Sequence, residues 1–206
     1  MAQVIFDLGS GLSTHNDQYY IRSIMDSIKA ADTGKHEVVL KFQLFSDQPP
    51  NMPLDQLMFN AAYEYGAKLG YKVTASVFDA PSLKFLLNFE VPFIKIACRP
   101  ELYWIIGEVP RKLSVYCSVA DLGDAVPDGV EVAMLCVPKY PADIAEYRAL
   151  YDNRLSGAIS DHTAGLALFN ELKPKIWEKH FVYEREPANP DAGPFALTVE
   201  DLESLL

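Results

Sequence analysis

Residues 157–182, GAISDHTAGLALFNELKPKIWEKHFV, hold the reading that decides the fold. Gly157 to Ser160 is a short apolar run with the length of a buried strand. Ala164 to Leu172 carries apolar residues at helical spacing, and Ile176 to Val182 is a second apolar strand. Two buried strands joined by one short helix make a parallel crossover unit. The polar residues collect toward the strand ends, as Ser160-Asp161-His162 and Glu178-Lys179-His180.

The same alternation runs through the rest of the chain. Val4 to Leu8 predicts a strand, and Ile21, Ile24, Met25, Ile28 and Ala31 predict a helix after it. Val38 to Leu44 is the second strand. The helix after it shows Leu54, Leu57, Met58, Ala61, Ala62, Tyr65 and Leu69 as its apolar face and stops at Gly70. Lys72 to Val77 is the third strand, followed by a short helix over Pro81 to Phe89. Phe93 to Cys98 is the fourth, with a short helix near Glu101. Lys112 to Ser118 is the fifth, and its helix must be short because Asp121 to Gly129 is rich in Gly, Pro and Asp. Val130 to Val137 is the sixth, followed by Ile144, Tyr147 and Leu150 on a helix. Thr198-Val-Glu-Asp opens a last helix with a capping-box pattern.

Eight strands, each followed by a helix or a stub of one, predict a compact (β/α)8 TIM barrel with shortened loops, a single domain over 1–206. The rival is an open doubly wound sheet. No GxGxxG follows a strand and no P-loop is present, so that rival has no cofactor fingerprint. There is no internal repeat.

Composition narrows the class. Half of the 206 residues are hydrophobic and 22% are charged, which excludes a disordered chain. The formal net charge of −10 argues against nucleic acid as a partner. Three cysteines, Cys98, Cys117 and Cys136, are too few and too odd for a disulfide framework and point to a reducing cytoplasm. They read as buried small hydrophobes, since no CxxC is present. No apolar run is long enough to span a membrane, and the opening MAQVIFDLGSG lacks the features of a secretory leader.

A barrel places its chemistry at the C-terminal ends of its strands. Asp7 ends the first strand here, Lys41 and Gln43 lie late in the second, Ser76 and Asp79 end the third, and Lys95 and Cys98 the fourth. A lysine inside VVLKFQLF or PFIKIAC either snorkels outward to a helix carboxylate or meets an anion. Two such lysines, both late in their strands, favour a bound anion such as phosphate. His162 and His180 end neighbouring strands, so their rings could converge. Two neutral imidazoles with carboxylate oxygens and water suit a divalent Mn, Mg or Zn ion, although a lone histidine is more often a satisfied polar residue. His15 lies in a polar loop from which it could reach the site, and His36 precedes a strand. Tyr140-Pro141 is either a loop punctuator or a sugar-stacking edge.

The stretches VVLKFQ, ASVFDAPS, PFIKIAC, AMLCVPKYP, GAISDHTAG and WEKHFVYEREPANPD occur in that order. Together the blocks resemble the barrel domain of the sialic acid (N-acetylneuraminate) synthase family, over nearly the whole chain. SDHT followed by EKHF is the specific part. The resemblance implies a metal-assisted condensation of phosphoenolpyruvate with N-acetylmannosamine or a related aldose, giving a nine-carbon 2-keto acid and phosphate. By motif, His162 and His180 match the metal-binding histidines, with Mn or Mg as the expected ion. Lys41 and Lys95 match the lysines that hold phosphoenolpyruvate, with Ser76 and Ser160 as hydroxyl donors. Gln43, Tyr140 and Asp191 match sugar-contacting positions. A homodimer or a separate partner protein is also implied.

The departures lie on the sugar side. Asp7 stands where the family has Glu, and Cys98 replaces a Ser. The following acidic position falls on Pro100, with Glu101 reached only after a one-residue slip. Pro138 replaces a commonly polar residue, and Ala192 a usual His. The loop after the second strand is short, and the family's C-terminal antifreeze-like domain is expected to be absent. Two readings follow: a compact synthase in which Asp7 or Glu101 does acid–base work, or a non-catalytic descendant that binds an anionic sugar or a protein.

Overall fold

Gln3–Asp7 (β1) pairs in parallel with Glu37–Leu44 (β2) on one side and with Ile176–His180 (β8) on the other, so the first strand adjoins the last. Lys72–Val77 (β3), Ile94–Ile96 (β4), Val115–Val119 (β5), Val132–Cys136 (β6) and Ala158–Asp161 (β7) complete a closed barrel in chain order. This is the (β/α)8 barrel that the alternation predicts. The computed structural model describes residues 1–9, 17–44, 54–122, 126–151 and 157–206. His15 and the segment directly after β2 lie outside these residues.

Helices cover the outside of the barrel. Gln18–Ala31 (α1) buries Ile21, Ile24, Met25 and Ile28, the stripe expected from the sequence. Gln56–Lys68 (α2) is rotated from the expected face. It buries Phe59, Ala62 and Gly66, and leaves Leu57 exposed. Gly66 explains the close approach: a Cβ there would lie 2.5 Å from the Val73 side chain on β3. Ala80–Leu86 (α3), Ile144–Leu150 (α4), Ala167–Leu172 (α5) and Leu202–Leu205 (α6) follow, with a 3-10 helix over Pro100–Glu108 after β4. Asp79 and Asp143 open α3 and α4 through capping boxes with Ser82 and Glu146. Thr198 and Asp201 form the capping box expected before the last helix. Among the described residues, no helix follows β5, and no helix is long and apolar enough to cross a membrane.

Several strands are shorter than the sequence predicts, because turns peel their ends away. The Arg99 amide bonds the Ala97 carbonyl at 2.7 Å just beyond β4. A Pro110–Leu113 turn delays β5, and a Pro127–Val130 turn delays β6. Beyond His180, Phe181 leaves the barrel and bridges to Leu197, which brings the C-terminal segment back over β8.

Strand alternation splits the apolar residues into two cores. The larger core lies between strands and helices. Ile5, Val39, Phe93, Met134 and Ala158 form a separate cluster, with Tyr116, Val132 and Ile176 packed against it. This second group fills the lower barrel, where the Phe93 and Tyr116 rings stack with centroids 3.9 Å apart. The polar layer lies above that plug, toward the C-terminal ends of the strands.

Tyr147 of α4 ties the outer shell to this layer. Its fully buried hydroxyl donates to the Ser160 carbonyl at 2.7 Å and accepts from the Val137 and His162 amides at 3.2 and 3.1 Å. One oxygen thus fixes the ends of β6 and β7. Tyr147→Phe keeps the ring and strands three backbone groups, so it is expected to cost about 3 kcal/mol. A fall in urea midpoint with an unchanged denaturant slope is the expected readout; an unchanged midpoint would show that the hydroxyl is not holding these ends.

Candidate active site

Side chains on β8 alternate across the barrel wall. Glu178 and His180 point inward, while Trp177 and Lys179 point outward. The inward residues face a cavity of about 590 Å³ at the C-terminal end of the barrel. Asp7, Lys41, Gln43, Ser76, Lys95, Tyr140, Ser160, His162, His180 and Asp191 all line it. These ten include every residue that the sequence motifs assign to phosphoenolpyruvate, sugar or metal.

The deep wall is a network of buried charges. The Lys41 ammonium donates to Asp7 Oδ2 at 2.7 Å and to Ser76 Oγ at 3.0 Å, and lies 3.5 Å from Glu178 Oε2. The Lys95 ammonium donates to Ser118 Oγ at 2.7 Å and lies 3.3 Å from Glu178 Oε1. Ser160 Oγ donates to the same Glu178 oxygen at 2.8 Å. Glu178 therefore stands between the two lysines. Neither lysine snorkels outward, and each is only 2% exposed.

Burial and pairing pull these groups in opposite directions, and pairing prevails. Burial alone would lower Lys41, but Asp7 and Glu178 raise it above the usual lysine range. Burial would raise Asp7, yet Lys41, His180 and the Gly9 amide bring it to about 2. Glu178 is likewise lowered, by both lysines against the burial effect. Asp7 also accepts from Gln43 Nε2 at 2.7 Å. Gln43 in turn packs where a side chain on residue 9 would stand: a Cβ on Gly9 would lie 2.1 Å from Gln43 Cγ.

The two imidazoles stand above this layer, His180 at the end of β8 and His162 just beyond β7, with ring centroids 5.7 Å apart. His162 Nδ1 lies 2.8 Å from the Val137 carbonyl oxygen. A carbonyl only accepts, so Nδ1 carries the proton and Nε2 keeps its lone pair. Burial, reinforced by His180, pushes the His162 pKa down to about 3, so the ring is neutral at ordinary pH. Buried His180 Nδ1 makes no hydrogen bond and faces Asp191 Oδ1 at 3.5 Å and Asp7 Oδ2 at 3.8 Å. Asp191 Oδ2 is also buried without a hydrogen bond. These donors fit a divalent ion in kind: two imidazoles, one with its other nitrogen anchored to a carbonyl, beside an orphaned carboxylate oxygen. Among the described residues, no three of the His, Cys, Asp and Glu side chains already converge in coordinating geometry.

The rim is aromatic. Tyr140 lies over His162 with centroids 4.1 Å apart and meets Phe195 at 5.0 Å. Its phenol is raised by burial and by neighbouring anions. Pro138 and Pro190 also line this side.

Other sequence expectations are corrected by their surroundings. Glu101 is exposed, pairs with Arg99 at 2.8 Å and does not line the cavity, so Asp7 is the carboxylate at the first-strand end. Asp79 is the cap of α3. Asp161 accepts from Lys179 and Trp177 Nε1, both at 3.0 Å, on the outer side of the barrel. Cys117 is a buried hydrophobe of the outer core, whereas Cys98 and Cys136 line the cavity. Cys98 is lowered to about 7 by a hydrogen bond with Cys136 and by Lys95, against its burial. Glu178 and Ser118 were not singled out as site residues. Period-two alternation finds Glu178, two residues before His180 on the same face.

No protein-family model and no curated protein matches the chain. Solved structures do. A sialic acid synthetase of Leptospira borgpetersenii superposes with a TM-score of 0.73 at 20% identity, over 98% of this chain and 80% of that one. The spore coat polysaccharide biosynthesis protein spsE of Bacillus subtilis gives 0.73 at 20%, over 98% of this chain and 65% of that one. A phospho-2-dehydro-3-deoxyheptonate aldolase (DAHP synthase) of Thermotoga maritima gives 0.71 at 12%, over 99% and 66%. The chain thus has the barrel shared by these synthases. At the level of the fold, the resemblance to sialic acid synthases read from the motifs holds.

Two outcomes follow for the site. Glu178→Gln leaves two buried ammonium groups without their shared anion. It is expected to lower stability by about 3–5 kcal/mol in urea titration, and a loss under 1 kcal/mol would refute the bridging role. Acid should also destabilise the fold through His162. The unfolded ring takes up its proton near pH 6.5, whereas the folded ring stays neutral to about pH 3. The unfolded state therefore binds more protons between those values, and stability falls by a few kcal/mol as pH drops through the window. In chelator-treated protein, His162→Gln should flatten that part of a urea-midpoint profile against pH.

Proposed function

We propose that this barrel is a phosphoenolpyruvate-dependent synthase that joins phosphoenolpyruvate to N-acetylmannosamine or a related aldose, yielding a 2-keto sugar acid and phosphate. The observation that carries the reading is the arrangement of two buried lysines, Lys41 and Lys95, below two imidazoles, His162 and His180, in one cavity. Fold likeness to sialic acid and DAHP synthases supports the same class.

In this reading Lys41 and Lys95 hold the carboxylate and phosphate of phosphoenolpyruvate, with Ser76 and Ser160 as hydroxyl partners. Fixed cations in a water-poor layer stabilise the charge that shifts as the phosphate leaves. The methylene carbon of phosphoenolpyruvate attacks the aldehyde carbon, water adds at the adjacent carbon, and the C–O bond to phosphate breaks. Asp7, held ionised beside Lys41, accepts one proton of that water and returns it to the oxygen of the former aldehyde, while the second leaves with the phosphate as the keto group forms. Gln43, Tyr140 and Asp191 face the sugar. His162 and His180, with Asp191, would hold a divalent ion, Mn or Mg, which when bound supplies Lewis-acid polarisation of the aldehyde. A second copy or a partner protein would close the sugar side, in a cytoplasmic setting.

Binding without turnover is the second reading. It is favoured by one observation: Lys41 is already paired to Asp7 and Glu178, so the deep layer is largely self-neutralised.

Phosphate release from phosphoenolpyruvate with Mn²⁺, across N-acetylmannosamine and a panel of other aldoses, decides between them. Release that requires both sugar and ion, with a 2-keto acid product, supports the synthase. Phosphoenolpyruvate binding by calorimetry without release under any sugar supports the binding module. His162→Ala and His180→Ala are each expected to remove Mn²⁺ binding in calorimetry while the far-ultraviolet circular dichroism is kept. Unchanged affinity in both would overturn the metal assignment.

A further inference from the structure

The two buried lysines make their short hydrogen bonds to groups other than Glu178. Lys41 donates to Asp7 Oδ2 at 2.7 Å and to Ser76 Oγ at 3.0 Å, and Lys95 donates to Ser118 Oγ at 2.7 Å and to the Ile96 carbonyl at 3.2 Å. Glu178 stands farther off, with Oε2 3.5 Å from Lys41 and Oε1 3.3 Å from Lys95, both beyond the ordinary hydrogen-bond range. Its short bond comes from Ser160, at 2.8 Å to Oε1, and Oε2 is buried with no hydrogen bond. The carboxylate is thus tied to β7 and only charge-paired to the lysines. It lines the same cavity as both ammonium groups. Two cations against Asp7 and Glu178 make the deep layer formally neutral. An entering anion meets ammonium groups whose charge is already balanced.

We propose that Glu178 is an internal counter-anion, which balances Lys41 and Lys95 when no ligand is seated and sets how loosely they hold a phosphate or carboxylate. In the empty layer it keeps two buried cations from standing uncompensated. Beside a seated anion the same carboxylate is a like charge, in an interior where repulsion is poorly screened. The lysines then recognise an anion without retaining it, and a phosphate formed on them is let go rather than trapped. Glu178 acts through the lysines, so it is a positioning residue and not a catalytic one. The proposal rests on the reading above that Lys41 and Lys95 seat an anion, and it does not require that phosphoenolpyruvate be turned over.

The test titrates inorganic phosphate, and separately phosphoenolpyruvate, into the chelator-treated protein by calorimetry at fixed ionic strength. Glu178→Gln is expected to bind each about ten-fold more tightly than the parent, or better, although it is the less stable protein. A merely structural role would weaken binding along with stability. Phosphate should also raise the urea midpoint of Glu178→Gln more than that of the parent. Glu178→Asp keeps the charge and withdraws it by one methylene, so it should fold as the parent does and gain phosphate affinity by a smaller factor. It carries the test if the glutamine variant does not fold. Adding Lys95→Met to Glu178→Gln removes one opposite pair together and should abolish the gain. Affinity unchanged or lower in the folded Glu178 variants, with the parent still binding, overturns the counter-anion role and leaves the lysine seat standing. No binding of either anion by the parent or its variants overturns the seat as well. A gain that survives Lys95→Met places the anion elsewhere and overturns the proposal.

Discussion

A buried ammonium is tolerated only where an anion meets it, and this barrel buries two. Isolated charges in an interior of low dielectric cost several kcal/mol each. Glu178 lies within 3.5 Å of both lysines, and Asp7 lies 2.7 Å from one of them. The strand register makes this possible. Asp7 stands opposite Lys41, Ser76 opposite Lys95, and Ser160 opposite Glu178. A one-residue slip would turn every one of these side chains out of the barrel. The apolar plug beneath serves the same end, because it lets water reach the charged layer from one side alone. Polar groups on the wall then do the fine placement: Ser76 and Ser118 accept from Lys41 and Lys95, and Ser160 donates to Glu178.

The outer faces of the same strands carry a different load. Asp161 and Lys179 form a fully buried ion pair outside the barrel, one residue away from His162 and His180 respectively. The Lys179 ammonium also donates to the Thr163 carbonyl at 2.6 Å. Tyr147 reaches in from α4 to the amide of His162. Each histidine is therefore presented inward by a backbone that is gripped from the helix side. The division explains why the SDH and EKH triplets are polar throughout, although only some of their members face the cavity.

Much of this was legible in the sequence. Eight apolar runs separated by helical spacing gave the barrel, and polar residues at strand ends gave the cavity lining. What escaped was mainly a matter of parity and rotation. Glu178 sits in a triplet of polar residues, and composition alone does not say which of the three faces inward; alternation from His180 does. Apolar spacing points to a different face of α2, because Gly66, which has no side chain to count, lies close against Val73 of β3. Strand ends were overrun by two or three residues where prolines start turns just outside, as at Pro110 and Pro127. Glu101 was a candidate by position along the chain, but its pairing with Arg99 holds it at the surface.

The stack of Phe93 on Tyr116 at the barrel floor has a kinetic meaning. With the N-terminal end filled, the lysine layer opens, among the described residues, toward the side where Tyr140 and Phe195 lie. Any anion seated on Lys41 and Lys95 must pass the histidines on its way in, and a larger molecule at the rim would then stand between it and solvent. Such a well imposes a sequence on its occupants: the deep ligand arrives first, and it departs last.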